Sequence, residues 1–200
     1  MRIFGWLQLA FIVLSALASR ATQAIADQPV VVSCDGFALG YDGQDHQRKC
    51  MTAEVSDGTQ TMKSQELIVI DQRFFLLVNF IDSGYRTYLS ERSLPDMAED
   101  GKLFRSTTDW QQKQSILGLD VAAFTGVLKG TQSDNECAIF SRYSGNPGNQ
   151  YDSSLGPAYK KHVVGYYCVV PNSLTPAQQG EGFYPLVQAV LAKLRLPAAE

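Results

Sequence analysis

The sequence predicts an α+β domain: an antiparallel sheet with a short mid-chain helix and a C-terminal amphipathic helix packed on it, stapled by two disulfides. Three observations lead there. Short runs of β-branched and aromatic residues alternate with turn signals along most of the chain. One central segment and one near the C-terminus carry helix signals. Four cysteines, Cys34, Cys50, Cys137 and Cys168, sit in a chain that opens like an export leader.

The leader has three parts. Arg2 supplies a positive start, residues 6–18 are an apolar stretch, and Ala24-Ile25-Ala26 places small residues where a signal peptidase reads them. Residues 1–26 are therefore read as a signal peptide and 27–200 as a single globular domain. The apolar run is roughly 13 residues, short of the about 20 needed to cross the hydrocarbon, so no transmembrane anchor is expected after cleavage. Val31-Val32-Ser33-Cys34 has the residue types of a lipid-attachment box, but Asp27 and Pro29 separate it from the apolar run. The expected destination is the periplasm or the cell exterior.

Residues 30–38 and 48–55 read as the first two strands, 66–70 and 74–81 as the next two, with Asp71-Gln72-Arg73 as their turn. The run 74–81 is almost wholly apolar, as in a strand covered on both faces. Asp82-Ser83-Gly84 is a further turn, leading to a strand over 85–89. Ser93 then caps a short helix, with Asp96 three residues on, Pro95 in the first turn and Gly101 at its end. Residues 110–118 are ambiguous, and 121–128 are β-like. The last element is a helix over 185–195, whose Leu186, Val187, Val190, Leu191 and Leu194 share one face. The arrangement is similar to the sheet-and-helix folds of PsbP-like proteins, a likeness of architecture that implies no activity.

An even cysteine count in an exported chain favours two disulfides. Cys34 and Cys50 are equidistant from Asp42 in Tyr41-Asp42-Gly43, so a three-residue hairpin loop would set them opposite each other. Cys137 and Cys168 lie at matching depths on β-like runs 136–143 and 162–170. The expected pairs are Cys34–Cys50 and Cys137–Cys168, each worth on the order of 3 kcal/mol.

Charge and motifs narrow the function by exclusion. Without Arg2 and Arg20 the chain has 15 basic and 20 acidic residues, a net charge near −5, with no basic patch for nucleic acid. Neither a dinucleotide loop nor a P-loop occurs, and no cofactor is expected. No Gly-x-Ser-x-Gly elbow occurs either. The two histidines are His46 and His162. Asp42, Asp45 and His46 share a polar turn, but their spacing matches no calcium or zinc motif, so no metal is expected. His162, Asp152 and Tyr151 are where an enzyme site of dispersed residues would be sought. No residue is assigned a catalytic role.

Two features rise above this background. The loop over 143–161 is rich in Gly, Pro, Asn, Ser and Tyr, and its tyrosines recur every eight residues. That mixture suits a binding loop, in which Tyr offers contact area at low entropic cost. Tyr143, Tyr151, Tyr159 and Asn149 are its expected ligand-binding residues. The second feature is Ser83-Gly84-Tyr85-Arg86-Thr87-Tyr88, which resembles the Ser-Gly-x-x-Tyr loop of periplasmic inhibitors of C-type lysozyme. Thr87 stands where that pattern has tyrosine, and Tyr88 comes one later. The resemblance implies that Ser83 and Arg86 or Tyr88 would enter a lysozyme cleft.

These readings converge on an exported, non-enzymatic binding or accessory protein of the cell envelope, whose partner is a protein or a glycan. The alternatives are an envelope enzyme and a lysozyme-inhibitor-like protein. Intact mass spectrometry of the protein from an exporting host is expected to give a chain beginning at Asp27, four hydrogens light and inert to an alkylating agent without reductant. Alkylation of two or four cysteines would contradict the disulfide framework.

Overall fold

The computed structural model describes residues 25–26, 28–43, 46–56, 61–84, 89–145, 158–171, 173 and 182–198. In chain order the strands are β1 (Ile25–Ala26), β2 (Val30–Val32), β3 (Gly40–Tyr41), β4 (Gln47–Ser56), β5 (Thr61–Ile70), β6 (Phe74–Asp82) and β7 (Leu89–Ser90). Helix α1 (Leu94–Asp100) follows, then β8 (Phe104–Thr108), β9 (Gln114–Ile116), β10 (Leu119–Leu128), β11 (Asp134–Ser144), β12 (Ala158–Tyr159) and β13 (Lys161–Val169). Helix α2 (Phe183–Leu191) and β14 (Leu194–Arg195) complete the described elements.

Most strands join one antiparallel sheet in the order β1-β4-β5-β6-β13-β11-β10-β8, with β2 also on β4 and β9 also on β10. It consists of two meanders, β4-β5-β6 and β9-β10-β11-β13, joined where β6 pairs β13 from Asp82↔Lys161 to Phe74↔Val169. Two small ribbons, β7–β12 and β3–β14, lie off the sheet.

Strand alternation divides the core in two. Val163, Tyr167 and Val169 of β13 face Phe183, Val187, Val190 and Leu191 of α2. Tyr166 and Cys168 face Leu94, Met97 and Ala98 of α1. Both faces are therefore covered, which is why β6 is apolar at almost every position. The result is mainly sheet, with two short helices among the described residues.

Local chemistry sets the elements. Ser93 Oγ accepts the Asp96 amide at 3.2 Å and so caps α1. Asp71 closes the β5–β6 turn by accepting the Arg73 amide at 2.8 Å. The ambiguous stretch 110–118 is a hairpin: Leu117 and Gly118 take φ of 54° and 74°, the paired positive angles of a tight turn joining β9 to β10.

Both expected disulfides are present. Cys137 and Cys168 are direct register partners, as their matched depths required. The Cys34–Cys50 bridge forms differently from the expected hairpin. The partner of Cys50 in register is Val32, and β2 ends there, so Cys34 reaches its partner from the bend beyond the strand. Tyr41 is the cause. Instead of sitting at a hairpin tip it is buried, and its strand pairs with β14. That pairing also stops the C-terminal helix at Leu191, short of 195. Leu194 and Arg195 become strand, held by the Asp42 amide on Lys193 O at 2.8 Å and the Arg195–Asp42 ion pair at 2.9 Å. Of the strand expected over 85–89, only Leu89 is described, at the start of β7; residues 85–88 lie outside the described residues. Residues 1–24 also lie outside them, while Ile25 and Ala26 pair with Ser56 and Val55. Cleavage before Asp27 would remove that pairing.

Gly165 marks the tightest point of the central strand. A Cβ there would overlap the ring of its register partner Phe140, which is fully buried, and lie 2.7 Å from Leu77 O. Gly165→Ala is expected to lower the unfolding free energy by about 1–3 kcal/mol, read as a lower urea midpoint with an unchanged slope.

Candidate functional site

The sheet face under α1 changes polarity along its strands. One row across five strands, Ile68, Leu77, Tyr166, Ile139 and Ala122, is almost entirely apolar. The next row on the same face is Glu66, Asn79, Val164, Ser141 and Asp120. The third holds Ser64, Ile81, His162 and Tyr143. Helix α1 covers the apolar row. The ribbon formed by β7 and β12, with the connection Glu91–Arg92, stands beside the polar ones.

A stack of rings organises this region. The Tyr143 ring lies flat on His162, with centroids 4.0 Å apart and planes 3° from parallel, and Tyr159 tilts against Tyr143 at 5.2 Å. Ser141 Oγ is 2.9 Å from His162 Nε2, and both residues are buried. The Tyr143 hydroxyl donates to Met97 Sδ at 3.8 Å, and the Tyr166 hydroxyl donates to Met97 O at 2.9 Å, tying the sheet to α1.

Two cavities flank the stack. The larger, about 820 Å³, is an open groove whose lining includes Trp110, Gln111, Lys113, Asp120, Tyr143 and Tyr159. The smaller, about 360 Å³, runs under α1 and is lined by Glu66, Asn79 and His162 among apolar side chains. Arg92, Met97 and Tyr143 line both.

Burial controls the charges. Removal from water, helped by the Arg92 cation, lowers the His162 imidazole to about 4, so it is neutral at pH 7. Burial raises the Glu66 carboxyl to about 7, against the pull of Lys49. Burial likewise raises the phenol of Tyr143.

Of the residues singled out in the sequence, Tyr143 and Tyr159 meet at the groove. Asn149, Tyr151 and Asp152 lie outside the described residues. His162 is in the stack, with Ser141 as its hydrogen-bonding side chain. Ser83 is fully buried, and both its amide and its hydroxyl donate to Lys160 O, at 2.9 and 3.0 Å. The rest of the inhibitor-like stretch, 85–88, is not described. At the other polar turn, Asp42 holds Arg195, whereas His46 packs against Tyr41 and Phe74, with Nδ1 2.8 Å from Asp71 Oδ2. Asp45 lies outside the described residues.

Sequence reasoning missed Glu66, Asn79, Ser141, Arg92 and Trp110. One signal was present: Asn79 interrupts an apolar strand, and Glu66 immediately precedes Leu67-Ile68-Val69. A polar residue in such a run is buried at a cost unless it has a task or a partner.

Ser141 and His162 have the separation of a nucleophile and its base. However, a base works best when its pKa is near the working pH. A desolvated imidazole titrating near 4 takes a proton poorly, and its ring is pinned under Tyr143. The geometry suits a rigid polar wall better than a proton relay.

Glu66 and His162 oppose each other in pH dependence. Between the ordinary carboxyl value of 4.5 and about 7, the folded chain holds a proton on Glu66 that the unfolded chain has lost, so rising pH destabilises. Between about 4 and 6.5, the unfolded chain holds a proton on His162 that the folded chain lacks, so rising pH stabilises. Glu66→Gln leaves only the second effect. The variant is expected to gain stability more steeply than the parent from pH 4.5 to 6.5, and above pH 7 to exceed it by about 1–3 kcal/mol in calorimetric unfolding.

Among the described residues no helix is long and apolar enough to cross a membrane. Two closed disulfides fit an oxidising compartment. No protein-family model, curated protein or solved structure matches this chain, and what the site does rests on its own chemistry.

Proposed function

We propose that this chain is an exported, non-enzymatic binding protein of the cell envelope, and that its open groove holds a glycan. The observation that carries the reading is the lining of the groove, where Trp110, Tyr143 and Tyr159 accompany hydrogen-bonding groups of both signs. A sugar ring presents C–H faces and a rim of hydroxyls. Aromatic rings match the first, and Gln111, Lys113 and Asp120 match the second. Lys113 and Asp120 form a 2.9 Å ion pair at the surface, so donor and acceptor stand side by side.

The rings are held before any ligand arrives. Trp110 stacks on Phe124 with centroids 4.4 Å apart, and Tyr143 is fixed on His162. Such fixing reduces the entropy lost on binding. A protein partner would be met better by exposed apolar side chains. The large ones among the described residues, Val30, Val31 and Leu117, do not line the groove. A hydrolytic reading rests on the Ser141–His162 contact alone, and the weak basicity and burial of that pair count against it. The inhibitor reading takes no support from Ser83, whose hydroxyl is turned inward.

Trp110 provides the assay. Titration with chitotetraose or soluble peptidoglycan fragments is expected to shift the intrinsic fluorescence, with Trp110→Phe abolishing the signal and Tyr143→Ala weakening binding about tenfold or more, roughly 1.4 kcal/mol. Emission that neither glycan moves, or a Tyr143→Ala protein that titrates like the parent, would count against a glycan site.

A further inference from the structure

The cavity of about 360 Å³ under α1 differs from the larger groove in its more apolar lining. Its walls include Leu77, Ile81, Leu103 and Val164, and its size is at the small end of ligand sites. Within this surround, two oxygen atoms are shut off from solvent and have no hydrogen-bond partner among the described residues: Glu66 Oε1 and Asn79 Oδ1. Asn79 is only 8% exposed. The two residues are direct register partners on β5 and β6, so both acceptors belong to one place.

A buried acceptor without a donor costs stability. Two side by side are a strong demand for a donor group. Nearby protein groups are otherwise engaged. Arg92 is held by Asp100 and by Asp96 O at the cavity mouth, and the Tyr166 hydroxyl donates to Met97 O. His162 contacts Ser141. Lys49, opposite Ile68 on β4, favours the Glu66 carboxylate through its charge but does not line the cavity.

We infer that this cavity is a second binding site, for a primary ammonium group carried on a small apolar body, with Glu66 and Asn79 as its receptors. An ammonium has three donors and no acceptor, so it satisfies both oxygens at once. It also balances the Glu66 carboxylate, and a charge-assisted hydrogen bond is about twice as strong as a neutral one. The apolar walls take the body of the ligand. The inference does not rest on the glycan reading, because neither Glu66 nor Asn79 lines the open groove.

Calorimetric titration of the full chain at pH 8 separates the possibilities, with 3-phenylpropylamine, 3-phenylpropan-1-ol and 3-phenylpropanoate as probes. The amine is expected to bind, the alcohol about tenfold more weakly or worse, and the acid not at all. Glu66→Gln, which keeps the shape of the side chain, is expected to reduce the amine to the level of the alcohol. Asn79→Val is expected to weaken the amine by a similar factor. The methyl resonances of Leu103, which lines this cavity and not the groove, are expected to shift with the amine. Failure of the amine to bind, equal binding of amine and alcohol, or full amine affinity in the folded Glu66→Gln protein would each overturn the inference. None of these results bears on fluorescence changes in the open groove, so the two proposals stand or fall separately.

Discussion

The pairing of β6 with β13 is the contact on which the rest depends. It joins two meanders that could each form locally, and it does so between residues that lie from 79 (Asp82↔Lys161) to 95 (Phe74↔Val169) positions apart. Such a pairing pays loop-closure entropy before it returns any contacts. What favours it is the composition of the two strands. β6 is apolar on both faces, and β13 presents Tyr167 to one helix layer and Tyr166 to the other. Neither strand is satisfied until both layers are in place. Gly165 lets the Phe140 ring of β11 lie across β13 at the centre, and the Cys137–Cys168 bridge ties the same two strands.

The site follows from where that sheet outruns its cover. Helix α1 is seven residues long and packs mainly on the apolar row. One row further on, the side chains turn polar, and Leu89 and Ser90 of the β7–β12 ribbon line the cavity beside them. A short helix therefore leaves a cleft, and the strand alternation fills its floor with Glu66, Asn79, Ser141 and His162. The long Tyr-rich loop contributes through its ends. Tyr143 leaves β11 and Tyr159 returns on β12, and both rings come to rest on the His162 stack.

The polar groups of this cleft are desolvated rather than activated. His162 is kept neutral by burial, Glu66 is kept partly protonated by burial, and the Ser141–His162 contact lies in the wall between two cavities. Catalytic groups need a matched donor, acceptor and path to the reacting atom. Receptor groups need only fixed geometry and unmet hydrogen-bonding capacity. The ring stack supplies the first, and the Glu66 and Asn79 oxygens that lack a partner among the described residues supply the second. The proposed binding role rests on this contrast.

Sequence by itself determined the local facts. Alternation and turn residues located β5, β6, β10, β11 and β13, Ser93 and Gly101 bounded α1, and matched depths on two strands paired Cys137 with Cys168. These are legible because each depends on residues within a few positions or on a single period of two or 3.6. Only the tertiary structure decided that Tyr41 is buried against β14 rather than exposed at a hairpin tip, that the last helix ends at Leu191, and that Glu66, Asn79, Ser141 and His162 share one face. The physical reason is register. Side chains on separate strands become neighbours only after the strands have paired, and a shift of one residue would have sent each of them to the opposite face.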